Sequence, residues 1–219
     1  MAKLVAGVGY NDSVQPVTKN KIVDGKSKQV WVCPIYAKWK DLLRRCYTLS
    51  SNDRHYLVYK DCKVCDEWLT FSNFKAWVGD KDISNLCLDK DLLMRGNKIY
   101  SPETCVFVPN FINCLFTDSE KNRGEYPIGV SLKQKKKPHH RDRFQAYCHE
   151  LDSIIYLGYH DTPEEAHMAW QKQKIKSITK ALEFYCSFSG YDDRVAKALM
   201  HRIDVLEEDL KTNSETIKL

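Results

Sequence analysis

The sequence has no apolar run long enough to cross a membrane. Its longest are only a few residues, against the roughly 18 that a spanning helix needs. The opening stretch does not read as a secretory leader either: Met-Ala-Lys-Leu-Val-Ala-Gly-Val-Gly-Tyr is too short, and too soon broken by glycine, to form a hydrophobic signal core. There is no internal repeat, and the only low-complexity tract is the lysine triplet 135–137. The nine cysteines are odd in number and follow no signal peptide, which reads as reduced thiols rather than a disulfide framework. These absences lead to the expectation of a soluble, cytoplasmic protein with no membrane partner.

What is present suffices to fold. Of 219 residues, 43% are hydrophobic and 11% aromatic, which excludes wholesale disorder and suits one or two domains. The net charge of +5 is unevenly placed. Residues 121–145 hold eight Lys/Arg against Glu125 and Asp142, a net of +6, so the remainder sums to −1. Positive charge gathered beside Tyr, Phe and His is the footprint of a polyanion partner.

Residues 1–30 contain turns such as Tyr-Asn-Asp-Ser and Val-Asp-Gly-Lys and read as extended segments. The spacing of Ile35, Trp39, Leu42, Leu43 and Cys46 predicts a helix over 35–47. Trp68, Phe71, Phe74 and Trp77 predict a second over 66–78, opened by Asp66 and Glu67. His55–Lys60 between them reads as a short strand. Residues 117–127 are polar, contain glycine and proline, and make the best linker. Residues 128–186 read strand, strand, strand, helix. An amphipathic helix over 191–212 places Val195, Leu199, Ile203 or Leu206, and Leu210 about a turn apart; it either packs back on the chain or makes a homodimer contact.

The densest chemistry lies in residues 86–116. A short strand ends in Asp89-Lys90-Asp91, a turn falls at Gly96-Asn97, a second strand covers 105–108, and after Pro109 a helix begins near Asn110. Two strands followed by a helix place the first strand's end beside the helix's first turns. Asp89 and Asn113 are then candidates to share one oxygen-ligated divalent cation, a donor set suited to magnesium. Cys62 and Cys65 form a Cys-x-x-Cys pair that needs two further ligands to hold a structural zinc. Cys33, Cys46, Cys87 and Cys105 are available, but no second such pair exists; buried free thiols are the favoured reading and zinc the alternative.

Around Asp89 the sequence resembles the HNH, or ββα-metal, nucleases, in the branch common among phage-encoded and homing endonucleases. That pattern runs Asp-His, a Gly-Asn-Lys turn, Pro-Glu-Asn-Leu-x-x-Val, and a final helical Asn. Here it reads Asp89-Lys90, Gly96-Asn97-Lys98, Pro102-Glu103-Thr104-Cys105-Val106-Phe107-Val108, and Asn113. The resemblance implies a magnesium-dependent DNA endonuclease with Asp89 and Asn113 as metal ligands. Lys90 stands where the base histidine belongs, and Thr104 replaces the middle asparagine. Flanked by Asp89 and Asp91, Lys90 should stay protonated, so it is expected to steady the transition state, with Asp91 or a nearby histidine such as His55 as base.

In the basic segment, Gly129-Val130, Arg143-Phe144, Tyr156-Leu157-Gly158-Tyr159-His160 and Thr162-Pro163-Glu164-Glu165-Ala166-His167-Met168-Ala169 are similar to the ethylene-response-factor type of DNA-binding domain. That likeness implies a three-stranded antiparallel sheet backed by one helix, laid in the major groove of double-stranded DNA. Alternation along 143–149 turns Phe144, Ala146 and Cys148 inward and Arg143, Gln145, Tyr147 and His149 outward. The expected DNA contacts are Lys133, Lys135, Arg143, Gln145, Tyr147, His149 and Tyr156, the lysines on phosphates and Arg143 and Gln145 on base edges.

The resulting expectation is an α+β chain. Residues 1–116 make an HNH-like domain, 117–127 a linker, 128–186 the DNA-binding module, and 187–219 a helix and tail. Its function is that of a magnesium-dependent DNA endonuclease, acting in the cytoplasm of a bacterial host if phage-encoded. The alternative is a catalytically silent DNA-binding or regulatory protein on the same scaffold.

Overall fold

The structure, a computed structural model, describes residues 4–53, 55–117, 123–134 and 143–219. The chain is of mixed α+β class and parts into two units, Met1–Phe107 and Val108–Leu219.

The first unit opens with an antiparallel hairpin of β1 (Thr18–Val23) and β2 (Lys26–Val32), followed by α1 (Pro34–Tyr47). Pro34 suits the first helical position, and Trp39, Leu42 and Leu43 form the buried face of α1. Next come a helical turn α2 (Tyr56–Tyr59), β3 (Lys63–Val64), a 3₁₀ turn at Asp66–Leu69 and α3 (Phe71–Val78). The strands β4 (Leu86–Asp89), β5 (Ile99–Tyr100) and β6 (Val106–Pro109) complete the order. β3 and β5 pair in parallel, and β4 and β6 form another two-stranded sheet. An aromatic core holds the unit. Trp39, Trp68, Phe71 and Phe74 are buried, Trp39 Nε1 donates to the Trp68 carbonyl at 2.6 Å, and Phe74 meets Trp68 edge-on at 5.0 Å. Each buried ring is worth about 1.5–3 kcal/mol and each ring pair about 0.5–1.5 kcal/mol more.

Two expectations for this unit are corrected. His55–Lys60 is not a strand: Tyr56–Tyr59 is helical, and the Lys60 N–H donates to the Tyr56 carbonyl at 2.8 Å. The Val58 and Tyr59 amides bond the His55 carbonyl at 3.1 and 3.3 Å, so these donors need no strand partner. The helix over 66–78 is broken at Thr70, which is extended at φ −99, ψ 125. The cause is distant in sequence. Tyr10 bridges there, its N–H donating to the Leu69 carbonyl at 2.8 Å while its carbonyl accepts from the Phe71 N–H at 3.0 Å.

The second unit begins with α4 (Asn110–Leu115) and continues through β7 (Val130–Lys133), β8 (Arg143–Glu150) and β9 (Ser153–His160). It ends in α5 (Pro163–Cys186) and α6 (Asp193–Lys211). The three strands make an antiparallel sheet in the order β7-β8-β9, with α5 on its inner face. Thr162 caps α5, its hydroxyl accepting from the Glu165 N–H at 3.2 Å, and Pro163 opens the helix. Val130, Ala146 and Ala166 form the buried seam between sheet and helix, flanked by Phe144 and Leu157. On α6, Val195, Ala196, Leu199 and Leu206 are buried and the helix packs on α5. Its apolar stripe is therefore used within the chain, so a homodimer contact would need another face.

The units divide at 107/108, earlier than the expected linker 117–127, of which 118–122 lie outside the described residues. Packing explains the shift. α4 sits on α5 and β8, Ile112 and Leu115 are buried, and the Lys174 ammonium of α5 donates to the Leu115 carbonyl. Beyond α6 the chain folds back. The Thr216 N–H donates to His167 Nε2 at 3.0 Å, while His167 Nδ1 bonds the Ile128 carbonyl at 2.9 Å. Burial pushes this imidazole below the usual histidine value, which suits the neutral tautomer these two bonds require.

Candidate functional site

Asp89 is the last residue of β4, and its side chain organises the loop that follows. Oδ1 accepts from the backbone N–H groups of Asp91 at 2.7 Å and Leu92 at 2.8 Å, which leaves Oδ2 for other partners. Burial pushes the Asp89 carboxyl above the ordinary aspartate value; the two amides oppose that rise and the neighbouring charge of Asp91 adds to it. A half-buried carboxylate with one oxygen fixed by backbone amides is a hard donor of the kind magnesium takes.

Lys90 is buried. It is only 6% exposed, and its ammonium donates to both carboxylate oxygens of Asp91, at 2.7 and 2.6 Å, and to the Asn97 carbonyl at 2.8 Å. All three donors of the ammonium are thereby matched within the loop. Asn97 closes the same loop: its amide donates to the carbonyls of Lys90 at 3.1 Å and Ile99 at 2.6 Å, and Oδ1 accepts from the Ile99 N–H at 3.0 Å. Thr104 adds a hydroxyl bond to the Ile99 carbonyl at 2.8 Å. Asp89, Lys90, Asp91, Asn97 and Thr104 thus share one hydrogen-bonded loop, with the Asp91 side chain half exposed on it.

Asn113 lies exposed on α4 of the second unit, and His55 is exposed at the start of α2. Cys62 is buried, its thiol 3.7 Å from the Val58 carbonyl, and burial pushes the thiols of both Cys62 and Cys65 up. Cys46 and Cys105 are driven up to about 12 by the same cause. Among the described residues no group of three or more His, Cys, Asp and Glu comes together as a metal site. A cation held by Asp89, an amide oxygen, water and phosphate would use only one such side chain.

The outer face of the β7-β8-β9 sheet carries most of the other expected residues. Lys133 stands opposite Arg143 and Ser131 opposite Gln145. Tyr147 faces Tyr156, their rings 5.1 Å apart. The Arg143 guanidinium lies over the Tyr159 ring at 5.6 Å and reaches Asp161 at 3.4 Å. His149 is half-buried, and burial, reinforced by the charge of Lys174, pushes its pKa down, so it offers a neutral imidazole rather than a cation. Lys135 lies outside the described residues.

Tyr159 belongs to this face and is not anticipated by alternation. Counting in twos from Tyr156 selects Gly158, but the pairing shifts between Gln145 and Tyr147, where Gly158 adopts φ +98. The bulge turns Tyr159 outward beside Tyr156, with ring centroids 5.8 Å apart. The run Leu157-Gly158-Tyr159 carries the available signal, because glycine inside a strand pattern marks a bulge.

Exchanging Arg143 and Lys133 together for glutamine is expected to flatten the plot of log affinity for duplex DNA against log salt by about 1.8 units, at 0.9 per lost phosphate contact. Fluorescence anisotropy across a salt series checks this; an unaltered slope removes the pair from the interface. No family model, curated protein or solved structure matches the chain.

Proposed function

We propose that the chain is a magnesium-dependent endonuclease that holds double-stranded DNA on the outer face of the β7-β8-β9 sheet and nicks or cuts its phosphodiester bonds. The observation that carries the reading is Asp89: a desolvated carboxylate at a strand end, one oxygen fixed by backbone amides and the other left for a cation. A divalent cation at Asp89 would neutralise the scissile phosphate and the leaving 3′ oxygen. The chain's own part is to fix that carboxylate. Asp91 and Leu92 amides hold Oδ1, Asn97 ties the loop's two ends, and Lys90 anchors it from beneath. Asp91, half exposed, is the carboxylate this loop offers to an attacking water's proton.

Supercoiled plasmid incubated with the protein and magnesium is expected to yield relaxed circles, and a chelator should abolish them. A second reading, a silent DNA-binding protein, is favoured by one feature: Lys90 occupies the position of the base histidine with its ammonium fully engaged. Duplex binding without nicking, across varied substrates and divalent metals, decides for that second reading.

A further inference from the structure

The hairpin β1–β2 stands apart from the rest of the first unit. Every residue from 19 to 31 is exposed, and its strands pair only with each other. A lone two-stranded hairpin is marginal in water, so what holds this one is local. The two-residue turn Asp24-Gly25 has φ of 52° and 71°, the positive pair that a type I′ hairpin turn demands. At the base, the Cys33 N–H donates to the Val17 carbonyl at 2.8 Å.

Register then sorts the side chains. Lys19 is opposite Trp31, Lys21 opposite Lys28, and Val23 opposite Lys26. The other face carries Thr18 with Val32, Asn20 with Gln29, and Ile22 with Ser27. All four lysines therefore lie on one face, in the company of Trp31, whose ring sits 5.4 Å from the Lys19 ammonium. The only acidic residue in the hairpin, Asp24, is in the turn. Among the described residues no carboxylate is paired with any of these lysines. Lys21 and Lys28 directly opposed repel each other, a cost that a bound polyanion would relieve.

We propose that this lysine face is a second binding surface for double-stranded DNA, separate in sequence from the β7-β8-β9 sheet. It rests on the reading of the chain as a DNA-acting protein and adds a contact that reading does not contain. Charge selects a polyanion: four cations and no anion on one face of the ribbon. Shape selects the duplex type. Two strands about 4.8 Å apart, with their side chains, fit the roughly 12 Å major groove of B-form DNA. The A-form major groove of RNA is too deep and narrow to admit them.

The test uses the full chain carrying K19Q/K21Q/K26Q/K28Q, with K19R/K21R/K26R/K28R as a charge-keeping companion. Both changes are confined to exposed side chains, and equal thermal melting confirms an intact fold. The probes are a short DNA duplex, an RNA duplex of the same sequence, and phosphatidylserine vesicles. For DNA, the glutamine variant is expected to lose about three to four units of salt slope, with curves converging on the parent as salt rises, while the arginine variant keeps the slope. An unchanged slope overturns the proposal. So does lysine-dependent binding to the RNA duplex or vesicles that equals or exceeds binding to DNA. If the parent chain binds no duplex DNA, the hairpin proposal and the wider reading fall together. If the parent binds and only the Arg143/Lys133 variant loses affinity, the hairpin proposal alone fails.

Discussion

Exchange of Asp89 for alanine is expected to lower plasmid nicking by on the order of 10²–10³, while exchange of Lys90 for methionine lowers it by about 10² through a different cause. Asp89 offers the fixed oxygen that would meet the cation, so its loss removes a contact at the reacting centre. Lys90 is a positioning residue: its ammonium spans Asp91 and the Asn97 carbonyl under the loop. Methionine keeps the buried stem but frees Asp91 and leaves the Asn97 carbonyl without that donor, which costs about 2 kcal/mol of local stability. The loop then drifts, and a displacement near 1 Å is worth about the expected loss in rate. The two causes separate experimentally. A methionine variant that loses rate but keeps the shape of its pH–rate profile fits a positioning lysine. A limb that moves with the substitution would identify a titrating base and contradict it. Lys90→His is not expected to restore faster nicking, because an imidazole there would be buried beneath the loop.

Gly129→Ala is expected to destabilise the second unit by about 2–5 kcal/mol, combining a positive-φ penalty of about 1–2 kcal/mol with overpacking of about 1–3 kcal/mol. Gly129 has φ +81, and a Cβ there would lie 2.1 Å from Trp170 Cδ1 and 2.3 Å from Cγ. Retreat is blocked on both sides. Trp170 is buried and stacked on His167 at 5.3 Å, and His167 is bonded to the Ile128 carbonyl next to Gly129. Moving the strand away breaks that bond and disturbs the Thr216 contact on the same ring. Gly158→Ala is the matched control: φ is +98 but nothing lies within 4 Å of its Cβ, so only the backbone penalty of about 1–2 kcal/mol applies. Urea midpoints measured by fluorescence compare the two. Equal losses would show that the tryptophan contact contributes nothing.

The parts of the fold legible in the sequence are those set by neighbours along the chain. Helix α1 follows from Pro34 and the spacing of Trp39, Leu42 and Leu43. The second unit's sheet and helix follow from alternation over 143–149 and from the Thr162-Pro163 start. What is not legible comes from partners far away in sequence. Tyr10 breaks the 66–78 helix at Thr70, and β3 pairs with β5 some 36 positions on, by subtraction of Lys63 from Ile99. At the candidate site, sequence alone marks Asp89, Lys90, Asp91 and Asn113, and gives Asn97 only as part of a turn. It does not say that Lys90 turns under the loop, because the direction of a side chain between two aspartates depends on where the Asn97 carbonyl ends up. The lysine hairpin is hidden by averaging. Outside residues 121–145 the charge sums to −1, although Lys19-x-Lys21 and Lys26-x-Lys28 flank an Asp-Gly turn at a spacing of two.

The irregularity in that hairpin bears on which changes of length the gene can tolerate. Pairing slips between Lys19 and Asn20, so that Gln29 and Trp31 are partnered and Val30 is skipped. Without the extra residue, counting in twos from Lys28 would set Val30 among the lysines and turn Trp31 to the other side. One inserted amino acid is thus enough to exchange a valine for a tryptophan on the charged side, with no substitution at all. Further single insertions or deletions in either strand would scatter the lysines over both sides, and so would loss of one cross-strand pair such as Ile22 with Ser27, whereas removing two successive pairs would shorten the ribbon and keep the remaining lysines together.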